Sequence, residues 1–157
     1  MRGRIIRAFS GLGISEERIE FRGFTPYHAM LTEYQDIDIA LDTFPFNGGM
    51  TSCNAISMGV PLVTLKGHSV AARQGYCILA NLDLEELVAE TPEQYISIAC
   101  GLAANPLLLE VLHASLRFRL KNSLLTDYKN CAKELEKAFY ILYSRRVEID
   151  EKRNYHK

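Results

Sequence analysis

The residues Asn47-Gly48-Gly49-Met50-Thr51-Ser52 could bind an anion through the backbone. They lie between two apolar runs, Ile37 to Leu41 and Leu62 to Leu65. Both runs are short and bounded by turn residues, which predicts buried strands. Gly59 and Pro61 stop a short helix over 51–58. The unit therefore reads as strand, glycine turn, helix, turn, strand. The first N–H groups of a helix have no intrahelical partner, and its dipole makes that end positive. Glycines let an anion approach the backbone closely. Thr51 or Ser52 can cap the helix or donate a hydroxyl to a phosphate oxygen. The same pattern also fits an ordinary strand-to-helix turn with a Thr or Ser cap.

Other reactive residues are dispersed. Cys53, Cys77, Cys100 and Cys131 form no CxxC, and three of them sit in apolar helical contexts. They are expected to be buried free thiols, in keeping with a reducing cytoplasm. His28, His68, His113 and His156 include no pair at metal-ligand spacing. Asp36 and Asp38 open a strand, Asp42 and Thr43 close it, and the latter pair is better placed to brace the glycine turn. Arg73 reads as an exposed helix arginine, and Arg117, Arg119 and Lys121 as a solvated face.

The elements that must position the turn follow in order. A helix is expected over 2–12 and a strand over Arg18–Arg22, where Ile19 and Phe21 share a face. A loop at Gly23 to Pro26 leads to a short helix at 27–34 and a strand at Asp36–Asp42. After the turn come a strand at 61–66, a helix at 69–80 and a short strand at 87–89. Thr91-Pro92-Glu93 starts a helix, with Thr as cap and Pro at the first position. Its buried stripe is Tyr95, Ile98, Ala99 and Leu102. Asn105-Pro106 restarts it, with Leu109, Leu112, Leu116 and Leu120 inward. A last helix over 127–146 is expected to turn Tyr128, Cys131, Leu135, Phe139 and Leu142 inward. Alternating strands and helices predict an α/β fold with a parallel sheet. Ligands of such sheets bind beyond the carboxyl ends of the strands. Thr25 to Tyr27, Thr43 to Met50 and Lys66 to Ser69 fall there.

The 157 residues suffice for one domain with a core, and 48% hydrophobic with 24% charged residues is ordinary globular composition. A net charge of −1 gives no electrostatic case for nucleic acid or an anionic membrane as partner. No apolar run approaches a membrane span, and no long apolar segment follows the basic start Met1-Arg2-Gly3-Arg4, so no signal peptide is expected.

The run from Asp38 to Cys53, followed by Met58-Gly59-Val60-Pro61-Leu62-Val63-Thr64-Leu65, resembles the nucleotide-sugar half of the O-GlcNAc transferase/SPINDLY family. The resemblance is closest to bacterial members with tetratricopeptide repeats. It continues through His68 to Arg73, Asp83 to Ala89, Tyr95, Leu116 to Leu120, Ser123 to Leu125, Asp127 and Leu135 to Ala138.

The resemblance implies that residues 1–146 are part of the Rossmann-like C-terminal half of a GT-B glycosyltransferase, with a C-terminal helical segment and a charged tail at 147–157. It implies that two central strands, the N-terminal catalytic half and the repeats lie outside this chain, a fragment or a truncated relative. Strand Arg18–Arg22 would then pair directly with Asp36–Asp42, or the incomplete sheet would pair between two chains. Met50, Thr51 and Ser52 match the diphosphate-binding turn, with Asn47, Gly48 and Gly49 ahead of it. Asn54 stands where relatives carry an acidic residue that holds the ribose; an amide makes a weaker bond than a carboxylate. Thr25, Pro26 and Tyr27 match the loop that passes the uracil. Met30 stands where many relatives carry a histidine near the diphosphate. The Asp36/Asp38 pair carries no metal role: GT-A transferases place their metal-binding DxD at the close of a strand, whereas these residues open one, and this family resembles metal-independent enzymes.

The implied function is UDP-sugar binding within a cytoplasmic protein O-GlcNAc transferase, transferring from UDP-GlcNAc to Ser or Thr with inversion. The resemblance places no catalytic base, metal or other cofactor in this chain, which alone would be inactive. The protein acceptor would be chosen by the missing repeats. Two alternatives stay open: a non-catalytic module that self-associates through its incomplete sheet, and a SPINDLY-type relative using GDP-fucose.

Overall fold

The computed structural model describes the backbone of residues 1–154 and the side chains of residues 1–147. The chain divides into two compact units, Met1–Thr32 and Glu33–Lys157.

The first unit holds helix α1 (Arg2–Ser10), a 3-10 turn at Glu16–Arg18 and most of helix α2 (Tyr27–Glu33). None of its residues is fully buried. The strand expected at Arg18–Arg22 is absent: the 3-10 turn runs into irregular chain, so the pairing expected of it does not form. Alternation marks a half-buried face, but a strand persists only where ladder bonds hold it. Here Phe21 instead lies under the Arg2 guanidinium, 5.5 Å from its ring centroid.

The second unit holds the parallel sheet: β1 (Ala40–Leu41), β2 (Leu62–Leu65) and β3 (Val88–Ala89), in that spatial order. Ala40 registers with Leu62, and Thr64 with Val88. The strand expected over Asp36–Asp42 is shorter because residues 34–36 extend α2 as a 3-10 turn. Helix α3 (Met50–Ser57) connects β1 to β2, and α4 (Gln74–Ala80) lies between β2 and β3. The helix expected from residue 69 begins as a 3-10 turn at Ala71–Arg73.

Val63 and Thr64 of the central strand are fully buried. Ile56, Leu79, Leu84 and Leu116 fill the space around the sheet and are also fully buried. Each such side chain contributes about 1.5–3 kcal/mol relative to exposure. Helix α5 (Pro92–Ala103) starts as the sequence predicts: Thr91 Oγ1 accepts the Gln94 N–H at 3.2 Å, with Pro92 at the first position. Helix α6 (Pro106–Lys121) repeats the device, Asn105 Oδ1 accepting the Leu108 N–H at 3.1 Å. Leu102, Leu112 and Leu116 are buried, as the stripes require.

Helix α7 (Tyr128–Asn154) departs from expectation. Tyr128, Cys131, Leu135, Phe139 and Leu142 are exposed. The helix leaves from the turn at Leu124–Thr126, and an apolar stripe faces inward only where a surface lies opposite it. It also runs through to Asn154, past the boundary expected at 146; residues 155–157 of the expected tail lie outside the described residues.

Candidate functional site

The site is built at the carboxyl end of β1. Asp42 continues the ladder beyond Leu41, its N–H donating to Val63 O at 2.9 Å. The side chain is only 6% exposed and both carboxylate oxygens are used. Oδ1 accepts the Gly48 N–H at 2.7 Å, and Oδ2 accepts the Thr64 hydroxyl at 2.7 Å. The Tyr95 hydroxyl, from α5, donates to the Asp42 carbonyl at 2.8 Å. Burial, then the Asp42 charge, push the Tyr95 phenol above its ordinary pKa.

The chain between Asp42 and Gly48 is held from within. Thr43 Oγ1 donates to Phe46 O at 2.6 Å, and Asn47 Nδ2 donates to Thr43 O at 2.8 Å. The Asn47 N–H donates to Ala71 O at 3.0 Å, which ties the turn to the segment after β2. Asp42 and Thr43 thus brace the turn as the sequence suggests.

Helix α3 begins at Met50, one residue earlier than expected, with Gly49 as N-cap. Neither Thr51 nor Ser52 caps it: no cap side chain accepts a hydrogen bond. The Ser52 hydroxyl instead donates back to Gly48 O at 2.9 Å. The first intrahelical bond is Cys53 N–H to Gly49 O at 3.0 Å. That leaves the N–H groups of Met50, Thr51 and Ser52 at a positive helix end. A Cβ at Gly48 would lie 2.5 Å from both Thr51 Oγ1 and Ser52 Oγ, so any larger residue there would have to displace these two hydroxyls. A cavity of about 190 Å³ beside the turn is lined by Tyr34, Asp42, Thr43, Gly48, Thr51 and Ser52, among others.

The predicted site residues divide by position. Gly48 and Gly49 are half-buried, and Met50 and Thr51 are exposed at the start of α3. Asn47, Ser52 and Asn54 are buried beneath the turn. Asn47 Oδ1 has no protein partner among the described residues. Thr25, Pro26, Tyr27 and Met30 belong to the first unit, where Tyr27 is 55% exposed and Met30 half-buried. The Tyr27 ring meets the His28 ring edge-on at 5.8 Å.

Thr64, Gly75 and Tyr95 belong to the site although the sequence does not single them out for it. Thr64 is legible only as a polar residue in an apolar strand, and Tyr95 as part of a buried stripe. Gly75, in the first turn of α4, lies against the Thr64 hydroxyl and Asp42 Oδ2.

Several charged residues have roles other than those expected. Arg117 Nε donates to Ser57 O at 2.8 Å, and Arg119 donates to Leu82 O at 2.9 Å and Asp83 O at 3.2 Å. Arg117 thus binds a carbonyl at the end of α3 and Arg119 two carbonyls in the turn just after α4, while Arg117 and Lys121 stay exposed as expected and Arg119 is half-buried. Arg73 is half-buried over the Tyr76 ring, at 5.1 Å from its centroid. Lys66 pairs with Glu90 at 2.7 Å, and that hydrogen bond holds the Glu90 carboxyl below its ordinary pKa. Asp36 and Asp38 are exposed, and no three His, Cys, Asp or Glu side chains converge among the described residues. All four cysteines are free as expected, but Cys77, Cys100 and Cys131 are exposed and only Cys53 is partly buried. Their helical faces point away from the core, which neighbouring apolar residues do not reveal. No single helix among the described residues is long and apolar enough to cross a membrane.

Comparisons with known proteins agree on one kinship. The model of the family described as glycosyl transferase family 41 matches residues 2–135. A probable UDP-N-acetylglucosamine–peptide N-acetylglucosaminyltransferase, SPINDLY of Oryza sativa subsp. japonica, is 32% identical over 151 residues, covering 96% of this chain and 16% of that protein. The UDP-N-acetylglucosamine–peptide N-acetylglucosaminyltransferase of Caenorhabditis elegans is 31% identical over 124 residues, covering 79% of this chain and 11% of that protein. A solved structure, a mutant of the Thermobaculum terrenum O-GlcNAc transferase, superposes with a TM-score of 0.81 at 41% identity. It covers 87% of this chain, and this chain covers 26% of it.

Proposed function

The chain belongs to glycosyl transferase family 41, and from that premise we propose that the turn at Gly48–Ser52 binds the diphosphate of a UDP-sugar donor. The donor is UDP-GlcNAc, and the complete protein passes the sugar to a Ser or Thr hydroxyl of a cytoplasmic protein acceptor with inversion. The chain spans only 16% of the rice relative's length, and its own part in this reaction is donor binding rather than unaided transfer. The start of α3 takes the charge of the departing UDP, so the reading assigns leaving-group stabilisation to oriented N–H groups and to no metal ion.

The observation that carries this reading is the uncapped N-terminus of α3, beside a glycine held open by Asp42. An N-terminus with a Ser or Thr cap would offer fewer donors to an anion. Thr51 supports it further, since its side chain is exposed at the second helical position.

The test is calorimetric titration of this chain with UDP, and with GDP for comparison. Saturable UDP binding, weakened about tenfold in Thr51→Ala, is the expected result for loss of one hydroxyl bond to a charged oxygen. Binding of GDP in its place reassigns the donor to a guanosine diphosphate sugar. Binding of neither nucleotide overturns the proposal for this chain.

A further inference from the structure

We propose that Thr64 and Tyr95 are positioning residues for donor binding, acting through Asp42 on the Gly48 turn. This rests on the donor-site reading above. A carboxylate that is 6% exposed, beneath a turn assigned to a diphosphate, repels the ligand and must be desolvated. Its two oxygens hold two separate elements at once, which offsets that cost. Oδ1 fixes the Gly48 N–H, and Oδ2 is fixed by Thr64 from the centre of the sheet.

Thr64 is fully buried in β2, and its neighbours in the strand are apolar. A valine would fill the same volume, so packing alone does not require the hydroxyl. What the hydroxyl adds is a defined orientation for the carboxylate, and through it a defined position for Gly48. Tyr95 acts on the same residue from the other side. It reaches across 53 positions of sequence to bond the Asp42 carbonyl, while Phe44, two residues on, packs edge-to-face on its ring at 5.6 Å. The peptide that follows Asp42 is thus pinned where the chain leaves the sheet. Gly75 completes the arrangement by leaving room for the carboxylate above α4. Neither Thr64 nor Tyr95 lines the cavity beside the turn, so each acts on the ligand only through Asp42.

The experiment compares Thr64→Val, Thr64→Ser and Tyr95→Phe in the full chain. The readouts are UDP affinity by calorimetry and the exchange rate of the Gly48 amide by NMR, relative to core amides such as Val63. Thr64→Val and Tyr95→Phe should each weaken UDP binding about tenfold and speed Gly48 exchange selectively. Thr64→Ser, which keeps the hydroxyl, should restore both. Unchanged Gly48 exchange in Thr64→Val and Tyr95→Phe would overturn the inference. So would exchange that rises equally at Gly48 and Val63, since that is general destabilisation, or a failure of the serine variant to rescue. Should Thr64→Val not fold, Tyr95→Phe decides by the same criteria. If the unsubstituted chain binds no UDP, the donor-site reading fails by itself, and selective exchange at Gly48 still decides whether Thr64 and Tyr95 position the turn.

Discussion

Gly48 donates its backbone N–H to Asp42 Oδ1 at 2.7 Å, six positions earlier, closing the loop between the end of β1 and the start of α3. This bond removes Gly48 from the set of free donors, so the proposed diphosphate site is left to the next N–H groups along the helix. The carboxylate is compatible with the proposed anion site because it is spent on Gly48 and Thr64 and points into the protein.

Gly75→Ala should destabilise the chain although alanine is the better helix former. The added Cβ would collide with the Thr64 hydroxyl and Asp42 Oδ2. Overpacking of that kind costs about 1–3 kcal/mol. Gly101→Ala, in α5, is the control: nothing lies within 4 Å of its Cβ. Helix propensity there should give a gain of about 0.5–1 kcal/mol. Urea unfolding midpoints of the two variants should move in opposite directions.

Tyr95 makes stability depend on alkaline pH. Its folded pKa lies above the ordinary value of 10.0, chiefly through burial. A raised pKa favours the neutral phenol in the folded state, so this contribution is complete below the unfolded value. It is lost as pH rises from there through the folded pKa. The chain should therefore lose stability above about pH 10, the range where free tyrosine ionises. Tyr95→Phe should show a shallower decline over that range in thermal unfolding.

Arg119→Met should cost about 1–2 kcal/mol, because two carbonyls, Leu82 O and Asp83 O, lose a charged donor while the apolar stem is kept. Chemical denaturation measures it. Lys121→Met, at an exposed position of the same helix, should change stability by less than about 0.5 kcal/mol.

The cysteines should separate by alkylation rate. Cys77, Cys100 and Cys131 are exposed, whereas burial of Cys53 pushes its thiol pKa up and lowers its thiolate fraction at neutral pH. Mass spectrometry after a limiting pulse of iodoacetamide should find three sites modified early and Cys53 late. Equal rates at Cys53 and Cys77 would contradict this order.

The sequence by itself determined the local grammar of the second unit. The glycine turn between two apolar runs, the Thr91-Pro92 and Asn105-Pro106 helix starts, and the buried leucines of α6 all follow from rules acting over a few residues. Ordered identities from Asp38 to Leu65 also carried the kinship, which a family match over residues 2–135 bears out. Only the tertiary structure decided which groups meet. Periodicity says that a residue has an inner face but not what lies opposite, so Arg18–Arg22 alternates without becoming a strand, and α7 carries an apolar stripe that stays exposed. Nor could spacing reveal that Tyr95 reaches Asp42 or that Arg117 reaches the end of α3. Those bonds join residues more than fifty positions apart, and their partners are fixed by how sheet and helices stack.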